Sequence, residues 1–166
     1  MNTQKYLPQN TAQWLGLACA IAVCFVAAGI GSLYTRPAIP VWYASLQKPA
    51  WNPPNWAFGP VWTLLYLMMA VAVWLVWRER GFAGARLAIT LFALQLLLNA
   101  FWSIIFFGWR QPAFALVEIF FLWAVIFATM LCFWQISQPA AWLMCPYLLW
   151  VTFAGFLNLA IARLNS

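Results

Sequence analysis

Histidine is absent from the chain, and its only acids are Glu79 and Glu118. That excludes Ser-His-Asp and Cys-His machinery, a paired-carboxylate hydrolase, a His-bound zinc site and a proximal-His haem. Charge of either sign is scarce, at 6% of 166 residues, where a soluble domain carries about a quarter. Eight basic and two acidic side chains cannot cover a soluble globule of 18.9 kDa. Cysteine is sparse too: Cys19, Cys24, Cys132 and Cys145 all sit in apolar stretches with no Cys-x-x-Cys pair. They read as small buried hydrophobes, so no metal, disulfide framework or resident cofactor is expected.

What is present is apolar: 67% of residues, with a mean hydropathy of +0.86. That is too much for a disordered chain, and it makes lipid the main solvent. The net charge of +6 lies at segment ends, where it suits anionic lipid headgroups and not nucleic acid. Stretches of about 20 apolar residues cross a bilayer, and five occur, at about 14–35, 56–77, 85–107, 112–135 and 139–163. The expected fold is therefore an all-α integral membrane protein, a single domain over 1–166 built as one bundle of five transmembrane helices. The short alternating segments of a β-barrel are missing. Lys5 precedes an apolar stretch too long for a signal core, so a cleaved leader is not expected. Lys5, Arg78, Arg80 and Arg86 fall on one side, and Arg36, Lys48, Arg110 and Arg163 on the other; the arginine cluster points to the first as cytoplasmic.

One connection is long. Residues 36–55 read RPAIPVWYASLQKPAWNPPN, too rich in proline for a regular helix and too aromatic for a solvated linker. We expect an ordered lid across one end of the bundle, with Tyr43 as part of it. For Trp51 an interfacial aromatic belt is an equal alternative.

Inside the spans, polar side chains must turn inward. Gln95, Asn99 and Ser103 fall at i, i+4 and i+8 with Trp102 on their edge; Tyr147, Trp150, Ala154 and Asn158 form a second stripe, and Trp62, Tyr66 and Met69 a third. Glu118 shares a face with Gln111 and Thr129. Interhelical glue is the simple reading for Gln95 and Thr129, while an intramembrane acid such as Glu118 is equally a structural or a functional group. Thirteen tryptophans are too many for interfacial belts alone. Trp62, Trp102, Trp123 and Trp150 lie deep, and an indole-walled pocket with a few amides and hydroxyls suits a large flat apolar ligand with polar edges.

Lys48-Pro49-Ala50-Trp51-Asn52-Pro53-Pro54 followed by Phe58-Gly59-Pro60-Val61-Trp62-Thr63-Leu64-Leu65-Tyr66 resembles the signature of the translocator protein family, also called tryptophan-rich sensory protein or peripheral-type benzodiazepine receptor. Trp42-Tyr43, Leu98 to Ser103, and Pro146 to Trp150 with Phe153-Ala154 and Leu157-Asn158 extend the likeness over nearly the whole chain. The resemblance implies a five-helix bundle, a homodimer, and a lidded pocket for porphyrins such as protoporphyrin IX, for cholesterol and for benzodiazepine-type drugs. Ligand-binding positions carried over or lying on the same stripes are Tyr43, Trp51, Pro53, Trp62, Tyr66, Asn99, Trp102, Ser103, Tyr147, Trp150 and Ala154. It implies a membrane receptor or transporter-like role in tetrapyrrole regulation or stress response. As alternatives it implies light- and oxygen-dependent porphyrin degradation at Trp62 and Trp150, or sterol binding, or regulation of other membrane proteins. The stretch Leu157 to Arg163 lacks the tyrosine of the animal sterol pattern, which favours tetrapyrrole over sterol; the compact, Trp-rich chain resembles bacterial members more than animal ones, which implies a bacterial cell membrane. For the dimer, Gly84 and Ala88 supply small-xxx-small spacing at the start of the third span.

Overall fold

A computed structural model describes residues 10–165; Lys5, on which part of the orientation reading rests, lies outside them. Lipid offers the backbone no hydrogen-bonding partner, so each span must satisfy its own amides, and a helix does this within one segment. Five helices result: α1 Asn10–Ala38, α2 Asn55–Gly84, α3 Arg86–Ser103, α4 Pro112–Trp134 and α5 Gln138–Leu164. All five are long and apolar enough to cross a membrane. Pro112 and Pro139 sit in the first turns of α4 and α5, where the missing N–H has no intrahelical partner to lose. Gly81 breaks the end of α2 with φ 64°, a left-handed conformation that only glycine adopts without strain.

Two π-helical turns extend the helices at one end of the bundle, Ile39–Tyr43 after α1 and Ile104–Gly108 after α3. The first corrects the expected lid of 36–55. The helix does not stop at Arg36-Pro37 but runs on to Ser45. A π turn holds one more residue than an α turn, and here it takes Pro40, whose missing N–H would break the regular ladder. The irregular segment is therefore only 46–54.

That segment is tied down at both ends. The Lys48 ammonium donates to the carbonyls of Tyr43 at 2.7 Å and Leu46 at 2.8 Å, capping the last helical turn. The Asn165 amide and Gln47 backbone exchange two hydrogen bonds, at 3.0 and 2.9 Å, pinning the segment to the end of α5. The Tyr43 hydroxyl donates to Asn52 Oδ1 at 2.7 Å.

The helices close a ring in the order α1, α2, α5, α4, α3 and back to α1. Away from the lid the ring is filled by side chains such as Met69, Phe92, Phe133 and Met144. Ala88 belongs to this core and is 2% exposed. It faces the protomer's own helices, which corrects the expectation that it forms a contact between two chains. The small side chain allows close helix packing, but inside one bundle. The outward face of α3 carries Leu87, Leu94, Leu97 and Phe101.

Candidate functional site

At the lid end the ring does not fill. A cavity of about 610 Å³ lies between α1, α2, α3 and α5, beneath the π turns. Of the side chains expected there, Tyr43, Trp62, Tyr66, Asn99, Trp102, Ser103, Trp150 and Ala154 line it. Three others do not. Trp51 is half exposed outside, edge-on to Phe153 at 5.7 Å. Pro53 lies in the tied segment, its carbonyl accepting from Asn52 Nδ2 at 2.9 Å. Tyr147 is fully buried behind the wall.

Tyr147 nonetheless shapes the site. Asn99 Nδ2 donates to its hydroxyl at 3.0 Å, and the Tyr66 hydroxyl donates to Asn99 Oδ1. One amide thus joins α2, α3 and α5 and is held in a single orientation at the cavity floor. A second junction lies nearer the lid. Trp102 Nε1 donates to Asn158 Oδ1 at 3.2 Å, and Asn158 Nδ2 donates to the Pro112 carbonyl at 2.7 Å. Trp102 stacks on Phe106 with centroids 4.9 Å apart, so the π turn after α3 braces that wall. By contrast, the indole N–H groups of Trp62 and Trp150 meet no protein acceptor among the described residues, and both rings border the cavity. The site is an apolar slot with indole walls, one oriented amide and unspent donors, which suits a flat ligand with polar edges.

Residues 20–164 match the TspO/MBR family. The chain belongs to that family. It is 43% identical over 157 residues to the tryptophan-rich protein TspO of Chlorobaculum tepidum, covering 92% of this chain and 98% of that one. It is 44% identical over 131 residues to the translocator protein of Bos taurus, 78% of each chain, and 37% identical over 152 residues to the tryptophan-rich sensory protein of Cereibacter sphaeroides, 92% of each. Like its relatives in the TspO/MBR family, the chain is a multi-pass integral membrane protein, and its role is receptor- or transporter-like with an apolar ligand as partner.

Several side chains of this TspO/MBR site escaped the sequence reading. The whole α1 wall did: Phe25, Ala28, Gly29, Ser32 and Arg36 line the cavity. Most are small or aliphatic, so no polar stripe marks them; the Ser32–Arg36 spacing of four is the one available signal. Phe58, Phe106 and Phe107 also line it, looking in the sequence like any lipid-facing phenylalanine. Asn158, placed on a stripe but not among the site residues, proves to be both wall and tether.

The remaining polar candidates lie elsewhere. Thr129 Oγ1 donates to the Val125 carbonyl of its own helix at 2.7 Å, so its hydroxyl is spent within α4. Gln95 reaches Met69 Sδ at 3.8 Å through Nε2, and its Oε1 has no hydrogen-bond partner among the described residues. Glu118 is 7% exposed, outside the cavity lining, and neither carboxyl oxygen has a hydrogen-bond partner among the described residues.

Proposed function

We propose that the protein is a membrane receptor or carrier for porphyrin-class ligands, with protoporphyrin IX as the representative. The observation that carries this reading is a cavity of about 610 Å³ lined together by Trp62, Trp102 and Trp150 and by the Asn99 amide. Indole-lined walls suit a planar aromatic macrocycle, and the volume lies within the range of about 300–1,000 Å³ usual for ligand pockets. Porphyrin gains support over sterol because the polar groups are dispersed along the slot and the tyrosine of the animal sterol pattern is missing at Leu157 to Arg163. The same reading includes a homodimer, with the outward α3 face of Leu87, Leu94, Leu97 and Phe101 as its surface, in a bacterial cell membrane.

A second reading rests on a specific feature. Trp62 lies 5.7 Å from Tyr66 and 6.2 Å from Tyr147, so an oxidisable indole at the wall is backed by two phenols. Dioxygen would be the oxidant: a bound pigment that absorbs light passes its excitation to oxygen, both oxygen atoms add across a carbon–carbon double bond of the macrocycle and that bond breaks to two carbonyls, while Trp62 and the phenols behind it can relay an electron to and from the excited pigment.

Tryptophan-fluorescence titration with protoporphyrin IX tests both readings. Saturable quenching at low micromolar ligand is expected, and its absence overturns the proposal. Replacing Trp62 and Trp150 by Phe keeps aromatic walls but removes the N–H and the easier oxidation. Affinity should fall several-fold, from a loss of about 1 kcal/mol, while any product of illumination in air should nearly vanish. Product formation at an unchanged rate would reduce the two indoles to walls.

A further inference from the structure

The cavity holds one formal charge. Arg36, in the last α-helical turn of α1 before the π turn, lines it. No acidic residue lines it, since Glu79 and Glu118 lie elsewhere. Arg36 has no hydrogen bond or ion pair among the described residues. The other cation of the lid region is engaged: Lys48 is spent on the carbonyls of Tyr43, Ala44 and Leu46. Because the helix runs on through the π turn to Ser45, Arg36 stands more than two turns before its end and is not a cap for the helix dipole.

A second source of positive potential faces the same space. Asn55 and Trp56, the first residues of the 30-residue α2, line the cavity. Their amides precede the first intrahelical hydrogen bond and have no helical partner; Ala57 N–H is the first engaged, with the Pro54 carbonyl at 2.9 Å. The positive ends of a guanidinium and a long helix thus share the lid end of a cavity whose walls are otherwise indole and phenyl.

We infer that Arg36 is the receptor for a carboxylate on the ligand, so that the cavity selects flat apolar acids and orients them with the carboxylate beneath the lid and the apolar body over Trp62 and Trp150. The guanidinium fork matches a carboxylate in two-point contact. This deepens the porphyrin reading, because it names the group on the ligand that the site recognises, but it applies to any flat aromatic acid.

The test pairs acids with their esters. Protoporphyrin IX and its dimethyl ester, and separately pyrenebutyrate and its methyl ester, are titrated against the wild type, Arg36→Gln and Arg36→Lys in the same bilayer nanodiscs. The wild type should bind each acid about tenfold more tightly than its ester, a charge-assisted contact discounted for partial exposure, and added salt should narrow the gap. Arg36→Gln should abolish the acid preference while ester binding stays the same, and Arg36→Lys should restore part of it. Arg36 is exposed and has no partner among the described residues, so unchanged near-UV circular dichroism is expected of both variants. An acid preference that survives Arg36→Gln overturns the inference, as does an equal loss for acid and ester; a role confined to lipid phosphate gives the first of these. If wild type binds neither porphyrin but prefers pyrenebutyrate to its ester through Arg36, the porphyrin reading fails and the carboxylate site stands. If it prefers neither acid, the inference falls.

Discussion

Asn99 is the most exacting position in the bundle, and its removal has a calculable effect. Its amide accepts from Tyr66 and donates to Tyr147 at 3.0 Å, tying α3 to α2 and α5. Asn99→Leu preserves volume but deletes both bonds, at about 0.6 kcal/mol each in a membrane protein. It also strands the Tyr147 hydroxyl, which is 0% exposed, in apolar surroundings, adding about 1–2 kcal/mol. The Tyr66 hydroxyl borders the cavity and is partly relieved. The expected loss is about 2–3 kcal/mol. Tyr147→Phe alone removes one bond and leaves Asn99 Nδ2 unpaired, about 1–2 kcal/mol. In the double variant the stranded hydroxyl no longer exists, so the combined loss should fall short of the sum by about 1 kcal/mol or more. Reversible unfolding in mixed micelles, or steric trapping in bilayers, measures all three. Additivity within about 0.5 kcal/mol would refute the network.

Asn165→Ala removes both bonds to Gln47 and should speed ligand dissociation several-fold with little effect on association; equal dissociation in stopped flow would mean that the latch does not govern the lid. Glu118→Leu replaces a buried carboxyl whose oxygens lack protein partners and should stabilise the bundle by about 1 kcal/mol or more; destabilisation by the same unfolding assay would reveal a partner for it. Ala88→Phe should destabilise the protomer by about 1–3 kcal/mol through overpacking, because Ala88 lies in the core, while Leu97→Ala, at 70% exposure, should weaken only the proposed dimer in bilayer crosslinking. Gly59→Leu adds a side chain where no atom lies within 4 Å; it should raise helix stability slightly and weaken ligand binding, and unchanged binding would place Gly59 outside the occupied volume.

The inner stripes were legible because lipid leaves polar side chains no alternative to turning inward. Periodicity alone put Tyr66, Asn99 and Trp102 on the faces that meet, and Tyr147 only one layer behind. Legibility failed where side chains carry no polarity contrast. The α1 wall of Phe25, Ala28 and Gly29 reads like any lipid-facing surface, and its place depends on how helices dock. It failed again at Pro37 and Pro40, where proline is ordinarily a stop signal. A π turn supplies one extra residue and lets the helix continue, and nothing in local composition distinguishes that from a break. Ala88 illustrates a third limit: small-xxx-small spacing reports close helix approach without saying whether the neighbour is the same chain.

The ring order has a consequence for biogenesis. Chain order runs α1 to α5, but in space α5 is the stave between α2 and α4. When the first four helices are in the membrane, Trp62 and Trp102 are already in place, yet the fourth wall of the slot and Tyr147 have not been made. Until α5 docks, the Asn99 amide has no Tyr147 to bond and Trp102 no Asn158, so the nascent bundle carries unpaired polar groups facing lipid. Insertion of the last helix is then the committing step of assembly. It supplies Tyr147 and Asn158 together, and through Asn165 fastens the lid, so binding competence should arise all at once with the last span and not grow as each helix is added.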